Sequence, residues 1–91
     1  MPFVCLGLNH RTAPVHVREQ FALAECKLPE LLAALRAETC AEEAVILSTC
    51  NRVEIYAATD SAPTVLLNEL RAFLVQDREV GDDVFYELNG A

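Results

Sequence analysis

Only four residues, Thr49 to Arg52, separate two apolar segments of strand-like pattern at 43–48 and 53–59. Parallel neighbours need a crossover of about a dozen residues or more, so this short link makes an antiparallel hairpin the economical connection. The other segments fall on either side of that hairpin. Upstream, residues 3–8 alternate as a strand, with Phe3, Cys5 and Gly7 on one face and Val4, Leu6 and Leu8 on the other. A polar loop at 9–14 follows, in which Thr12 can cap a helix and Pro14 is tolerated in a first turn. Val15, Val17, Phe21 and Leu23 continue a short helix to about Ala24. A second helix is predicted over 27–39, where Leu28, Leu31, Leu32 and Leu35 recur at i, i+3, i+4 and i+7. Downstream, Asp60, Ser61 and Pro63 open a helix striped by Leu66, Leu67, Leu70, Phe73 and Leu74. Gly81-Asp82-Asp83 then reads as a turn before a fourth strand at 84–88.

The order β-α-β-β-α-β predicts an α+β fold of the ferredoxin-like split type. It is a four-stranded antiparallel sheet with helices on one face. In that topology strands one and three are the central, antiparallel pair, so the exit of the first strand, Asn9-His10, meets Arg52-Val53 at one rim. The first strand and Ala44-Val45-Ile46-Leu47 are apolar on both faces. Read as central strands, they suggest that the second sheet face is also covered, by a dimer, a further domain or continuing chain. The plainer reading is exposed apolar surface.

Ninety-one residues suffice for one domain, 1–91, with one modest core. The net charge of −7 and a single lysine, Lys27, make the chain a poor autonomous binder of nucleic acid. The four cysteines, Cys5, Cys26, Cys40 and Cys50, form no C-x-x-C pair, and neither His10 nor His16 completes a zinc-type spacing, so no metal is expected. The apolar start lacks a basic n-region and reads as a strand, not a signal peptide, and no apolar run reaches membrane length. The expected setting is cytoplasmic, with reduced thiols and no membrane partner.

The chemistry concentrates at Ser48-Thr49-Cys50-Asn51-Arg52. Here a thiol sits among a hydroxyl, an amide and a guanidinium where an apolar strand stops. Positive charge and donors favour the thiolate, the reactive form, so Cys50 is a candidate nucleophile. Arg52 can hold a substrate carboxylate bidentately or lower the thiol pKa. Thr49 and Asn51 can orient a substrate, turn N–H groups can hold an oxyanion, and His10 is a candidate base. The same residues are also ordinary hairpin-turn residues. His16 reads as structural or exposed. Arg18, Glu19 and Glu54 read as solvated or capping charges, with Glu54 also able to position Arg52.

Two stretches carry a resemblance. Gly7 to Glu19, GLNHRTAPVHVRE, resembles the N-terminal signature of glutamyl-tRNA reductases, and Ser48 to Tyr56, STCNRVEIY, resembles that family's catalytic motif. The resemblance implies NADPH-dependent reduction of glutamyl-tRNA(Glu) to glutamate-1-semialdehyde, the committed step of tetrapyrrole (porphyrin and heme) biosynthesis. By it, Cys50 attacks the aminoacyl ester and forms a thioester, Arg52 reads the glutamate carboxylate, and Thr49 and Asn51 complete the pocket. Asn9, His10 and Thr12 match the first motif as possible pocket lining. Family members continue into an NADPH-binding Rossmann domain and a helical dimerisation domain, and the full-length protein is expected to be a homodimer. This sequence has no G-x-G-x-x-G, so it is expected to carry the catalytic domain without hydride transfer or cofactor binding. The alternatives are a non-catalytic ferredoxin-like binding module and a cysteine-dependent esterase.

Overall fold

A computed structural model describes residues 2–21, 27–49, 51–76 and 84–90. The elements are β1 (Phe3–Asn9), α1 (Val15–Phe21), α2 (Leu28–Glu38), β2 (Glu43–Ser48), β3 (Arg52–Ala58), α3 (Pro63–Val75) and β4 (Tyr86–Gly90). The four strands form one sheet in the order β2-β3-β1-β4, with every pair antiparallel. This is the α+β, split β-α-β-β-α-β arrangement predicted from element order.

The pleat sorts the two faces. Val4, Leu6 and Leu8 of β1 pair in register with Ala57, Ile55 and Val53 of β3, and all six are buried. Ile46 of β2 joins them opposite Ile55. Against this face pack Phe21 of α1, Leu35 of α2, and Leu66, Leu67, Leu70, Phe73 and Leu74 of α3, forming one continuous core. The predicted leucine stripes therefore do point inward, as helices of period 3.6 require. Phe85 closes one end of the core, edge-on to Phe21 at 5.7 Å. At that edge Arg71 of α3 stands over the Phe85 ring and pairs with Glu87 of β4.

Three local expectations are corrected. Strand β4 begins at Tyr86 and not at Val84, because Val84 and Phe85 are both buried and so lack the alternation of a half-buried strand. Thr12 does not cap α1: its hydroxyl turns back to accept the Asn9 N–H at 3.0 Å, and the first turn is closed through the Pro14 carbonyl. Strand β2 is not central but lies at a sheet edge, so its two-sided apolarity does not come from a central position. The predicted continuation of α1 to Ala24, Cys26 and the turn at 81–83 lie outside the described residues.

The face away from the helices is mixed. Phe3, Val45, Tyr56 and Leu88 are exposed on it, and Phe3, Val45, Tyr56 and Ala58 border a shallow depression of about 170 Å³. Cys5 is on this face too, buried but outside the core cluster. One row crossing all four strands reads Leu47, Glu54, Gly7, Tyr86. A Cβ on Gly7 would lie 2.8 Å from Glu54 Cγ and 2.8 Å from the Tyr86 ring and hydroxyl. Two side chains thus meet across β1 only because the strand between them carries none.

Two stability changes follow. Gly7→Ala is expected to cost about 1–3 kcal/mol, the usual range for overpacking, and a urea midpoint equal to wild type would contradict the close approach. Leu70→Ala, which empties a fully buried position between α3 and the sheet, should lower stability by about 2–5 kcal/mol with an unchanged urea m-value.

Candidate active-site rim

The β1–β3 ladder sets the site. Its last pair is Asn9 with Arg52, so the exit of the first strand and the entry of the third lie side by side, as the topology predicted. Each polar cluster is built by its own local hydrogen bonds. Asn9 Oδ1 accepts from the Arg11 and Thr12 N–H groups at 2.9 and 3.1 Å, and the Asn9 carbonyl accepts from the Ala13 N–H at 2.9 Å. Asn9 and Thr12 therefore hold each other and shape the loop, an Asx-type turn. His10 stands exposed in that turn, with no hydrogen bond from its ring among the described residues.

The hairpin is held in the same way. The Thr49 N–H donates to the Arg52 carbonyl at 2.8 Å, and Thr49 Oγ1 accepts from the Asn51 and Arg52 N–H groups, each at 3.2 Å. Cys50 lies outside the described residues. Its chain neighbours Thr49 and Asn51 are both exposed at the turn. Arg18 joins the two clusters: its Nε donates to the Ala13 carbonyl at 3.2 Å and its Nη1 to Asn51 Oδ1 at 3.5 Å. The sequence pattern marks Arg18 only as a solvated or capping charge. Its reach to the hairpin depends on how α1 docks, which periodicity does not encode.

Arg52 and Glu54 share the open face of β3. Arg52 Nε lies 3.6 Å from Glu54 Oε1, and the side chains are 52% and 9% exposed respectively. The Tyr56 hydroxyl donates to Glu54 Oε1 at 2.9 Å, and the Tyr86 hydroxyl donates to Oε2. Donation to a carboxylate favours the phenol over the phenolate. The hydrogen bond to Glu54 pushes the Tyr56 hydroxyl up to about 12. Tyr86 is raised as well, first by burial and then by its bond to Glu54. The Cys5 thiol beneath them is raised by burial and by the Glu54 charge, so it is held as an inert thiol. Sequence reasoning misses the two tyrosines. The signal that could have found Tyr56 is a carboxylate flanked at i−2 by Arg52 and at i+2 by Tyr56 on one strand face, whereas Tyr86 reaches it from another strand.

Among the described residues no group of three His, Cys, Asp or Glu side chains is arranged to hold a metal ion. No described helix is long and apolar enough to cross a membrane. The exit of β1 does not fit a dinucleotide phosphate: it runs into Asn9-His10-Arg11-Thr12, all bearing side chains, where a phosphate cradle needs glycines and a helix N-terminus.

The tyrosine shifts give a pH test. Raised folded-state values mean that the Glu54 clamp is intact below the ordinary tyrosine pKa of about 10 and weakens as pH climbs from there through the raised values. The sequence holds two tyrosines and no tryptophan, so phenolate absorbance reports this cluster alone. Both tyrosines of the folded chain should ionise well above the ordinary value, and Glu54→Gln should bring Tyr56 back down. Ordinary midpoints for both in the wild-type chain would contradict the cluster.

Comparison with known proteins gives one consistent result. The family model described as glutamyl-tRNAGlu reductase, N-terminal domain, matches residues 6–89. A glutamyl-tRNA reductase of Alkalilimnicola ehrlichii is 45% identical over 92 residues, covering 100% of this chain and 21% of the relative. One from Marinobacter nauticus is 53% identical over 68 residues, 72% of this chain and 16% of the relative. Another, from Akkermansia muciniphila, is 45% identical over 78 residues, 86% of this chain and 23% of the relative. The chain thus spans about a fifth of the length of these relatives. Both motif-bearing segments, Gly7 to Glu19 and Ser48 to Tyr56, lie inside the matched residues, and the chain belongs to the glutamyl-tRNA reductase family, corresponding to its N-terminal domain.

Proposed function

We propose that this chain is the glutamyl-binding, thioester-forming domain of an NADPH-dependent glutamyl-tRNA reductase acting in tetrapyrrole biosynthesis. The observation that supports this reading most is the pairing of Asn9 with Arg52, which brings both family motifs to one rim. The Cys50 thiolate attacks the ester carbonyl of glutamyl-tRNA. A carbon–sulfur bond forms, the ester carbon–oxygen bond breaks, and the terminal ribose oxygen of the tRNA leaves and takes a proton. The glutamyl group remains as a thioester on Cys50. Arg52 receives the side-chain carboxylate through its guanidinium fork, and a neutral or apolar side chain leaves that charge unpaired, the physical basis of selection. Thr49 and Asn51 keep the hairpin in shape beside the reacting thiol, and Asn9, His10 and Thr12 line the neighbouring loop.

NADPH binding, reduction of the thioester and homodimerisation belong to other parts of the enzyme, in a cytoplasmic protein. The acidic balance of the chain fits that division, since grip on the tRNA backbone needs clustered cations. A second reading, a binding module without catalysis, is favoured by the way Asn9, Thr12 and Thr49 use their side chains on their own turns.

Mass spectrometry separates the two. After exposure to glutamyl-tRNA without NADPH, a glutamyl adduct is expected on Cys50 and absent in Cys50→Ser. Failure of the complete enzyme to form any adduct would leave only the binding module. Arg52→Ala should lower the acylation rate by about tenfold or more, with less effect on labelling by a small neutral alkylating agent. Equal losses in both reactions would mean that Arg52 tunes the thiol and does not read the substrate.

A further inference from the structure

The β1–β3 ladder ends at the rung of Asn9 and Arg52, and the turn that carries Cys50 lies beyond it. The described hydrogen bonds of that turn close between residues 49 and 52: the Thr49 N–H donates to the Arg52 carbonyl, and Thr49 Oγ1 accepts from the Asn51 and Arg52 N–H groups. They set the shape of the turn and do not by themselves fix its angle to the neighbouring loop. Arg18 supplies a hold from outside. It belongs to α1, which is anchored in the core by the buried Phe21. Its Nε donates to the Ala13 carbonyl at 3.2 Å, and Ala13 is itself buried, with its N–H on the Asn9 carbonyl. Its Nη1 donates to Asn51 Oδ1 at 3.5 Å. The contacts therefore close a ring, from Asn9 across the ladder to Arg52, along the chain to Asn51, and back through Arg18 and Ala13 to Asn9. A planar guanidinium suits that span, because it serves two acceptors at a fixed separation, where an ammonium is a single point of charge.

We propose that Arg18 is a positioning residue for acylation: through Asn51 it braces the hairpin bearing Cys50 against the Asn9–Ala13 loop, so that both motif segments meet the substrate as one rigid rim. The inference rests on the reading of Cys50 given above. Attack on an ester carbonyl needs the sulfur aligned with it, and a misplacement of about 1 Å can cost roughly a hundredfold in rate. Arg18 needs no contact with the substrate, and its role is geometric rather than electrostatic.

The test is a double-mutant cycle in the complete enzyme, read as the rate at which glutamyl-tRNA acylates Cys50 without NADPH. Arg18→Lys, which keeps the charge and loses the fork, and Asn51→Ala should each slow acylation by about tenfold. Because both break one contact, the double variant should be no slower than the slower single variant. Alkylation of Cys50 by a small neutral reagent, which needs no fixed approach, should change by less than about twofold, with its pH midpoint in place. Losses that multiply in the double variant overturn the brace, since Arg18 and Asn51 then act apart. Wild-type acylation in Arg18→Lys, beside a slow Arg18→Gln with a raised thiol midpoint, also overturns it, since Arg18 then acts by charge. Should Arg18→Lys fail to fold, Asn51→Ala still decides: amide exchange should quicken in the 9–14 loop as well as in the turn, and a change confined to the turn overturns the brace. Wild-type rates in the folded variants overturn the brace alone. Absence of any adduct in the wild type overturns the reading of Cys50, and the brace falls with it.

Discussion

The antiparallel ladder between β1 and β3 is the interaction on which the rest of this domain depends. Its inner side, Val4, Leu6 and Leu8 against Ala57, Ile55 and Val53, is the floor of the core, and three helices gain their burial by covering it. Its outer side carries Gly7 and Glu54, and its terminal pair, Asn9 with Arg52, joins the two motif segments. Because side chains alternate along a strand, a slip of one residue would send Leu6 and Leu8 to the open face and separate the rim at the same time. Core burial and site geometry are fixed by a single register.

The open face shows how a charged group can be kept on a sheet without water around it. A carboxylate between strands is costly unless its lone pairs are occupied. Here two phenols donate to the carboxylate and a guanidinium pairs with it at 3.6 Å, and the geometry is available because one position in the row has no side chain. Burial first, and then the Glu54 charge, raise the Cys5 thiol and disfavour its thiolate. The apolar depression on this face lies at the Phe3 and Ala58 end of the ladder, away from the Asn9 and Arg52 rim.

Much of this is legible in the residues. The four-residue link at Thr49 to Arg52 implies the hairpin, and the leucine stripes give the helices and their inward faces, because these are local properties of spacing. The meeting of Asn9 with Arg52 follows from topology once element order is known. What escapes is non-local. Tyr86 finds Glu54 across an intervening strand, and Arg18 finds Asn51 through the docking of a helix. Neither contact leaves a periodic trace. Pattern alone misplaces the start of β4, because Val84 and Phe85 are apolar for the core and not for the pleat. Thr12 has the composition of a helix cap, but a closer partner, the Asn9 backbone, takes its hydroxyl.

The position of β4 has a consequence for the order of assembly. Phe3 pairs with Ala58 on one side and with Gly90 on the other, so β1 must wait for partners that are made much later. Contacts of such sequence separation form slowly, since a long loop must close before they yield anything. During synthesis the rim at Asn9 and Arg52 can assemble once β3 has emerged, yet Glu54 then lacks the Tyr86 hydroxyl. A nascent chain at that stage would carry a half-satisfied carboxylate beside Arg52. The hydrogen-bond set around Glu54 is therefore among the last contacts this domain completes, closed by the docking of one edge strand.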